Sequence, residues 1–395
     1  MEICLRAFAG EQAHVDRFMQ FVVLFKEKFR KRVFIGEHVV REVVHNHMNK
    51  SKLNSTEIAR LAGVSRSTVS RVINGYNNVP DETREHVMRV INENGYYPLL
   101  SGQLLAGKKT KTLGFIWVNS GNIADSVQCS AFFAHVTDSA AAHGYLVLTC
   151  IVKNLTDGEN VDWVKRIFMQ ERVDGGVFIG VDNDEPLIEE LISRGMIVGI
   201  FDHYHPDRNE PNRISVNFEV NTGEKCVDYL CELGHRNIAV IDGNMSRYSS
   251  CMRHLGYIRA MKAHGVALRP EWMLFGDLEE STGLAATNRL LALPGELPTA
   301  ICANNDAVAF GVIAAIVAHG LRVPEDISVI GIDGHDRASF VSPPLTTYEF
   351  NFAQIFRSLV SRVIAVIEEK EEVKRTEFLE STLVVRNSCA PPRRP

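Results

Sequence analysis

The residues whose types and spacing could do chemistry lie between Asn54 and Asn74. A helix over the second half of this stretch places polar side chains on an arc of about 140° and apolar ones nearly opposite. The polar arc carries no carboxylate and consists of Arg66, Ser67, Ser70, Arg71 and Asn74. Arginine pairs with guanine edges through two hydrogen bonds, while hydroxyl and amide groups reach bases or phosphates. The arc is therefore suited to a helix that lies in the major groove of DNA.

Two short helices joined by a tight turn would hold this arc in place. Asn54 is predicted to cap the first helix, with Glu57 at nearly the spacing of a capping box. Gly63 can take the positive φ that a tight reversal needs, and Ser65 can cap the second helix. Basic amphipathic helices also occur as plain surface hairpins, and the pattern alone leaves that alternative open.

A third helix is predicted to begin near Pro80 and to end at Gly95, so that three helices share one small core. Residues 98–111 then form a short linker that ends in Lys108, Lys109 and Lys111. This linker is either a plain tether or a segment that orders on DNA, with an apolar wedge in the minor groove and lysines on phosphate.

Composition divides the chain of 395 residues into a basic front and an acidic body, with a net charge of −5 overall. Residues 51–111 hold nine Lys/Arg and five Asp/Glu. The length suggests two or three domains. A basic front on an acidic body indicates a DNA-binding head attached to a part that does not bind DNA.

Targeting, redox and cofactor signals are weak throughout the sequence. The eight cysteines form no C-x-x-C pair and no Cys/His metal spacing, so reduced thiols are expected and no metal or cofactor is predicted. The apolar run Phe21–Phe25 is too short for a signal peptide, and no 18-residue apolar segment exists. We therefore expect a cytoplasmic, nucleoid-associated protein without a membrane segment.

Residues 1–50 have no readable pattern beyond a mixed aromatic and basic stretch over residues 18–34. They could add DNA contacts or a partner surface. The second interpretation is that they are a poorly ordered extension, or upstream sequence that precedes a true start at Met48. The second interpretation is favoured because the coherent pattern begins directly after Met48.

From Leu113 onward, strand patterns alternate with helix patterns. Strands are predicted over residues 113–118, 145–150, 175–179, 197–201, 238–241, 299–302 and 327–330. Helices are predicted over residues 132–143, 161–170, 186–194, 221–233, 252–264, 281–291 and 307–319. Two such series predict two parallel sheets covered by helices, with a cleft at the carboxyl ends of the strands.

Six segments in order resemble the lactose/galactose-repressor (LacI/GalR) family of bacterial transcription regulators over Leu53–Asn387. They are IARLAGVSRSTVSRVING at 58–75, LGHRNIAVIDG at 233–243, RHLGYIRAM at 253–261, ANNDAVAFGV at 303–312, VPEDISVIGIDG at 323–334 and PPLTT at 343–347. The resemblance implies a helix-turn-helix headpiece over 51–97, a hinge linker over 98–111 and a two-lobed core like periplasmic binding proteins. We assign 112–213 with 348–376 to lobe 1, and 214–347 with 377–395 to lobe 2.

The resemblance implies a homodimeric, sequence-specific transcriptional regulator, expected to be a repressor, that binds a palindromic operator in double-stranded DNA. Its affinity would be controlled by a small sugar-like effector between the lobes. The family's DNA-contacting positions match Ser65, Arg66, Ser67, Thr68, Ser70, Arg71 and Asn74, and its wedge leucine matches Leu105. The hinge departs from the family at Pro98-Leu99 and Gly102-Gln103, and glycine lowers helix propensity by about 1 kcal/mol relative to alanine.

The family's effector positions match residues that lie beyond predicted strand ends. They are Asp202, Arg253, Asn305 and Asp333, with Phe352 placed to stack on a sugar face. Carboxylates, a guanidinium and an amide suit vicinal hydroxyl groups. Asn305 has the alternative role of capping a helix.

The pocket departs from the family at Leu278, where many relatives have an aromatic residue, and at Gly334, where a second acid is common. The identity of the effector therefore does not carry over. Basic groups near a strand end, at His203, His205 or Arg213, would also tolerate an acidic sugar.

Two other classes of protein compete with this interpretation. A secreted sugar-binding component of a transporter would share the core, but the helix pair and the missing signal peptide argue against it. An enzyme is disfavoured because the sequence has no Gly-rich phosphate loop and no G-x-S-x-G motif.

Overall fold

The computed structural model describes residues 53–99, 102, 104, 107–118, 127–370 and 373–393. The predicted extension over 1–50 and the predicted wedge residue Leu105 lie outside these residues. The chain divides into two compact units, Met1–Lys108 and Lys109–Pro395. The division falls inside the predicted linker over 98–111.

The headpiece contains helices α1 (Ser55–Leu61), α2 (Arg66–Ile73) and α3 (Asp81–Glu93). The side chain of Asn54 accepts hydrogen bonds from the backbone N–H groups of Thr56 and Glu57, so it caps α1. The carboxylate of Glu57 accepts from the guanidinium of Arg60 rather than from the backbone N–H of Asn54. The second hydrogen bond of a capping box is therefore not formed. Gly63 has a φ of +66°, as the reversal between α1 and α2 requires.

A small apolar core holds these three helices together. Ile58 from α1, Val69 and Val72 from α2, and Val87 and Ile91 from α3 are buried in one cluster. The apolar face of α2 is thus turned inward, and its polar arc is left at the surface. The predicted three-helix arrangement agrees with the structure.

Lobe 1 of the second unit is built on a six-stranded sheet in the order β11-β5-β4-β3-β1-β2. The strands are β1 (Thr112–Val118), β2 (Leu146–Val152), β3 (Gly175–Ile179), β4 (Val198–Phe201), β5 (Arg213–Phe218) and β11 (Thr376–Leu379). Its helices are α4 (Val127–Ala142), α5 (Gly158–Met169), α6 (Pro186–Ser193) and α11 (Phe352–Ile367). All pairings in this sheet are parallel.

Lobe 2 is built on a second six-stranded sheet in the order β12-β10-β9-β8-β6-β7. The strands are β6 (Ile238–Asp242), β7 (Met273–Phe275), β8 (Ala300–Ala303), β9 (Ser328–Asp333), β10 (Thr346–Glu349) and β12 (Thr382–Val384). Its helices are α7 (Thr222–Glu232), α8 (Tyr248–Ala263), α9 (Glu280–Leu291) and α10 (Asp306–Ala318). Only the pairing of β12 with β10 is antiparallel.

The chain crosses between the sheets three times, after β5, after β10 and after β11. Three boundaries therefore differ from the predicted ones. Strand β5 continues lobe 1 to Phe218, beyond the predicted limit at residue 213, and β11 keeps residues 376–379 in lobe 1, because these two strands pair along one edge of the first sheet. Strand β10 keeps residues 346–349 in lobe 2, where lobe 1 was predicted to resume at residue 348, because β10 pairs with β9 and β12 of the second sheet.

Candidate DNA-binding surface and effector cleft

The polar arc of α2 lies at the surface of the headpiece. Arg66, Ser67, Ser70 and Arg71 are exposed, whereas Val69 and Val72 are buried. The guanidinium of Arg71 has no hydrogen-bond partner among the described residues, and Arg66 donates only to the hydroxyl of Ser55, at 3.1 Å. Two guanidinium groups and two hydroxyls thus face outward from one helix.

The other predicted DNA-contacting residues have structural roles as well. The hydroxyl of Ser65 caps α2 by accepting from the N–H of Thr68 at 3.1 Å, and it lies 2.8 Å from the Thr68 hydroxyl. Asn74 ends α2, and its amide donates to the Ser70 hydroxyl at 3.3 Å. The oxygen of Asn74 is buried without a partner among the described residues.

Arg253 lies where the two lobes meet. It is 4% exposed. One terminal nitrogen donates to the backbone oxygen of Asn304 at 2.6 Å, and the other donates to Asp333 at 3.1 Å. The guanidinium lies 4.9 Å from the ring centre of Phe218 in lobe 1, so it contacts both lobes. Its Nε is buried without a partner among the described residues.

Asp202 connects the lobes from the opposite side of the cleft. It directly follows β4, and its carboxylate accepts from the N–H and the hydroxyl of Ser249, at 2.9 and 2.7 Å. Arg247 lies 3.6 Å away. Burial raises the pKa of Asp202, and these partners oppose the rise. Both oxygens are therefore engaged by the first turn of α8.

Of the two roles that the sequence left open for Asn305, the structure shows the helix cap. The oxygen of Asn305 accepts from the N–H of Val308 at 2.8 Å, and its amide donates to the backbone oxygen of Leu278 at 3.0 Å. Asn305 is thus the cap of α10, with both polar atoms engaged. The side chain that contacts Arg253 is the buried amide of Asn304, whose oxygen lies 3.3 Å from the guanidinium.

Phe352 belongs to an aromatic cluster at the base of lobe 1. Its ring centre lies 4.8 Å from that of Phe132 and 6.1 Å from that of Phe218. Phe132 in turn stacks on Trp117 at 5.6 Å. Because Phe218 also lies under Arg253, this cluster gives the cleft an apolar wall beside its charged groups.

Asp333 ends β9 and has Arg253 as its cationic partner. Burial raises the pKa of this carboxyl to about 6, and the guanidinium of Arg253 opposes the rise. Gly334 follows with a φ of +77°, and a Cβ there would lie 2.2 Å from Cγ of Glu349. The turn therefore has no room for the acid that the family often has at this position.

Three basic residues were considered as contacts for an acidic sugar, and each has different surroundings. Arg213 is tied to Glu189 and Glu210, both at 2.7 Å. His203 is fully buried, and burial lowers its pKa to about 3. His205 lines a cavity of about 720 Å³, together with Arg247 and Tyr248, and none of the predicted effector residues lines that cavity.

Reasoning from the sequence missed four residues in or behind the cleft: Phe218, Asp242, Arg247 and Asn304. Phe218 and Asp242 end strands β5 and β6, so a search for strand ends could have found them. No cluster of metal-ligating side chains occurs among the described residues. Within the same part of the chain, no helix is long and apolar enough to cross a bilayer.

A helix-turn-helix headpiece joined to a two-lobed binding core defines a ligand-regulated DNA-binding transcription regulator. Residues 56–98 match the family described as bacterial regulatory proteins, lacI family. Residues 227–389 match the periplasmic binding protein-like domain. The chain is 32% identical over 336 residues to the HTH-type transcriptional repressor PurR of Vibrio campbellii, covering 84% of this chain and 97% of that protein.

Solved structures agree with these sequence relationships. A lac repressor dimer bound to operator and the anti-inducer ONPF has a TM-score of 0.70 and 27% identity, over 86% of this chain and 100% of that one. A complex of the transcriptional regulator CelR with cellobiose has a TM-score of 0.65 and 26% identity, over 85% and 99%. The chain belongs to the lacI family of bacterial regulatory proteins.

Proposed function

We propose that this protein is a repressor that binds a palindromic operator as a homodimer and responds to a small effector held between the lobes of its core. The observation that carries the proposal is the exposed face of α2, where Arg66, Ser67, Ser70 and Arg71 face outward without a carboxylate. Hydroxyl and guanidinium groups are donors that base edges and phosphates accept.

The two symmetric halves of an operator would each receive one recognition helix, with half-sites about one helical turn apart. The relative of known structure described as a dimer on its operator supports this arrangement. The β2 edge of lobe 1 supports it as well, because β2 is an outer strand of the described sheet and exposes Leu146, Leu148 and Ile151. An exposed apolar edge strand is normally covered in the assembled protein.

The effector would be a small polyhydroxylated molecule, such as a sugar or sugar derivative. Arg253 supplies donors, Asp333 supplies acceptors, and Phe352 with its aromatic neighbours offers a surface for a ring face. The relative crystallised with cellobiose supports a ligand of this kind. We infer binding without chemistry, because the relatives that this chain resembles are described as repressors.

The test is binding of the full chain to DNA from its own locus. Arg71→Ala removes a base-reading group, so affinity for the intact palindrome should fall about tenfold or more, while affinity for scrambled DNA changes little. The matched control is Arg89→Ala on α3, which removes an exposed charge outside the recognition arc. Equal losses in the two variants would contradict the recognition-helix assignment.

The effector arm of the test measures melting temperature against a panel of neutral sugars, sugar acids and nucleobases. A ligand that binds only the folded state raises the melting temperature in proportion to RT ln(1 + [L]/Kd). A stabilising compound should also change operator affinity, since the two sites are coupled reciprocally. Stabilisation without any change in operator affinity would contradict effector control.

A further inference from the structure

A chain of buried polar groups runs from the surface of lobe 2 to the guanidinium of Arg253. It begins at His254, whose side chain is 22% exposed, and passes through Asp242, which is 0% exposed. Nδ1 of His254 lies 2.7 Å from one carboxylate oxygen of Asp242. The amide of Asn304 donates to the other oxygen at 3.4 Å, a long bond.

The Arg253 guanidinium and the Asp242 carboxylate fix the direction of each hydrogen bond in this network. A guanidinium only donates, so the side-chain oxygen of Asn304 must face Arg253. A carboxylate only accepts, so the amino group of Asn304 must face Asp242. The hydroxyl of Ser250 can donate to the same Asn304 oxygen, at 3.5 Å. If Asn304 were reversed, its amino group would face the donors of Arg253, and its oxygen would face the acceptors of Asp242.

Asp242 is buried, and the groups around it determine its pKa. Burial raises the pKa of Asp242, while the contacts with His254 and Asn304 and the charge of Arg253 lower it. The charge of Asp242 also contributes to the raised pKa values of Tyr257 and Cys302, after burial. The Asp242 carboxylate in turn raises the pKa of His254. A buried polar group that loses its partner costs free energy, so the network holds a single orientation only while every member is present.

We propose that Asp242 and His254 are positioning residues that, through Asn304, set the orientation of the Arg253 guanidinium for effector binding. The proposal rests on the effector cleft put forward above. It goes further by assigning a role to three buried or half-buried groups behind that cleft, none of which touches the effector itself.

The decisive experiment reverses the polarity of this hydrogen-bond network in the full-length protein, by exchanging the carboxylate of Asp242 and the amide of Asn304. Asp242→Asn places one amino group against either Asn304 or His254, both of which donate to Asp242 in the wild type, and Asn304→Asp alone sets two carboxylates against each other. Each single variant should lower the melting temperature by roughly 2–8 °C. The double variant, Asp242→Asn with Asn304→Asp, restores a donor opposite an acceptor at every step without changing net charge. It should therefore melt above both single variants.

The matched control is Asp228→Asn, which alters another His–Asp pair. Asp228 lies 2.8 Å from His264 at the surface, with side chains 43% and 34% exposed, and no hydrogen bond among the described residues links this pair to Arg253. This variant should melt within about 1 °C of the wild type, because exposed pairs contribute little. If the melting temperature of the double variant were no higher than the summed losses of the two single variants predict, the proposed hydrogen-bond directions would be wrong.

A milder pair of variants tests the positioning role even where the buried substitutions unfold the protein. His254→Gln keeps a donor for Asp242, whereas His254→Leu removes it. For the panel compound that stabilises the wild type most, His254→Leu should weaken binding about tenfold, and His254→Gln should retain most of the affinity. Equal binding by the two variants would refute positioning. Failure of every panel compound on the wild type would instead count against the proposed effector, and the polarity reversal would still decide the network.

Discussion

Asp333 ends strand β9 with a carboxyl group that burial makes a weak acid, with a pKa of about 6. Because this pKa is above the ordinary value of 3.8, its contribution to folding stability is present below about pH 3.8 and is lost as pH rises through about 6. The affinity for a hydroxyl-bearing effector has the opposite pH dependence and rises with pH, because the hydroxyl donates to the ionised carboxylate. Affinity should rise about tenfold between pH 5 and pH 7.

Calorimetric titration of the stabilising panel compound over this pH range would measure the effect. Asp333→Asn should bind more weakly and lose this rise. A wild-type profile that is flat from pH 5 to 7 would contradict a direct contact between the effector and Asp333.

The cleft residues could be predicted only in part at this scale. Arg253 and Asp333 lie in long motifs and are joined by a hydrogen bond in the structure. The choice between effector contact and helix cap for Asn305 could not be made from the sequence, because it depends on where the side chain is directed, and the structure shows it capping α10. Asp242 and His254 were missed because their contact joins the end of a strand to a helix 12 residues later.

At the scale of elements, the alternating pattern predicted the central strands of both sheets and the helices that cover them. It missed strands β5, β7, β10, β11 and β12 and the long helix α11, whereas it predicted β2 at the edge of the first sheet. Strand β5 begins with Arg213 and contains Asn217, and both are buried polar residues satisfied by distant partners. A local pattern does not reveal such partners, so a buried strand with this composition resembles a loop in the sequence.

The crossovers between the lobes are held by Glu219, which follows β5 and has a side chain only 9% exposed. Its carboxylate accepts from Lys225 at 2.7 Å and from the N–H of Ser381 in the third crossover at 2.9 Å. Glu219→Gln removes the charge and presents an amino group to these donors. We expect a loss of about 2 kcal/mol in the free energy of unfolding, measured by urea denaturation.

Glu224→Gln provides the control on the neighbouring helix. Glu224 lies 3.7 Å from Arg259, and both side chains are largely exposed. The change should stay below about 0.5 kcal/mol. If the two variants were equally stable, Glu219 would not be holding the crossovers together.

At the scale of the whole molecule, we expect the second subunit of the proposed homodimer to cover the β2 edge of lobe 1. Strand β2 is the last strand of its sheet, and Leu146 and Leu148 are 74% and 37% exposed on it. A lysine on an edge strand opposes pairing with another chain, because its charge would be buried. The double variant Leu146→Lys with Leu148→Lys should therefore shift the protein toward the monomer in sedimentation experiments at micromolar concentration.

The same variant should lose most of its affinity for a full palindrome while keeping its thermal response to the effector, because the DNA contacts of two headpieces are coupled only through the dimer. Leu268→Lys is the matched control, since Leu268 is 38% exposed in lobe 2, close to the exposure of Leu148. It should remain a dimer and bind the operator as the wild type does. If the β2 variant stayed dimeric, the partner subunit would have to dock on another face, and the recognition helices would need a different spacing on the operator.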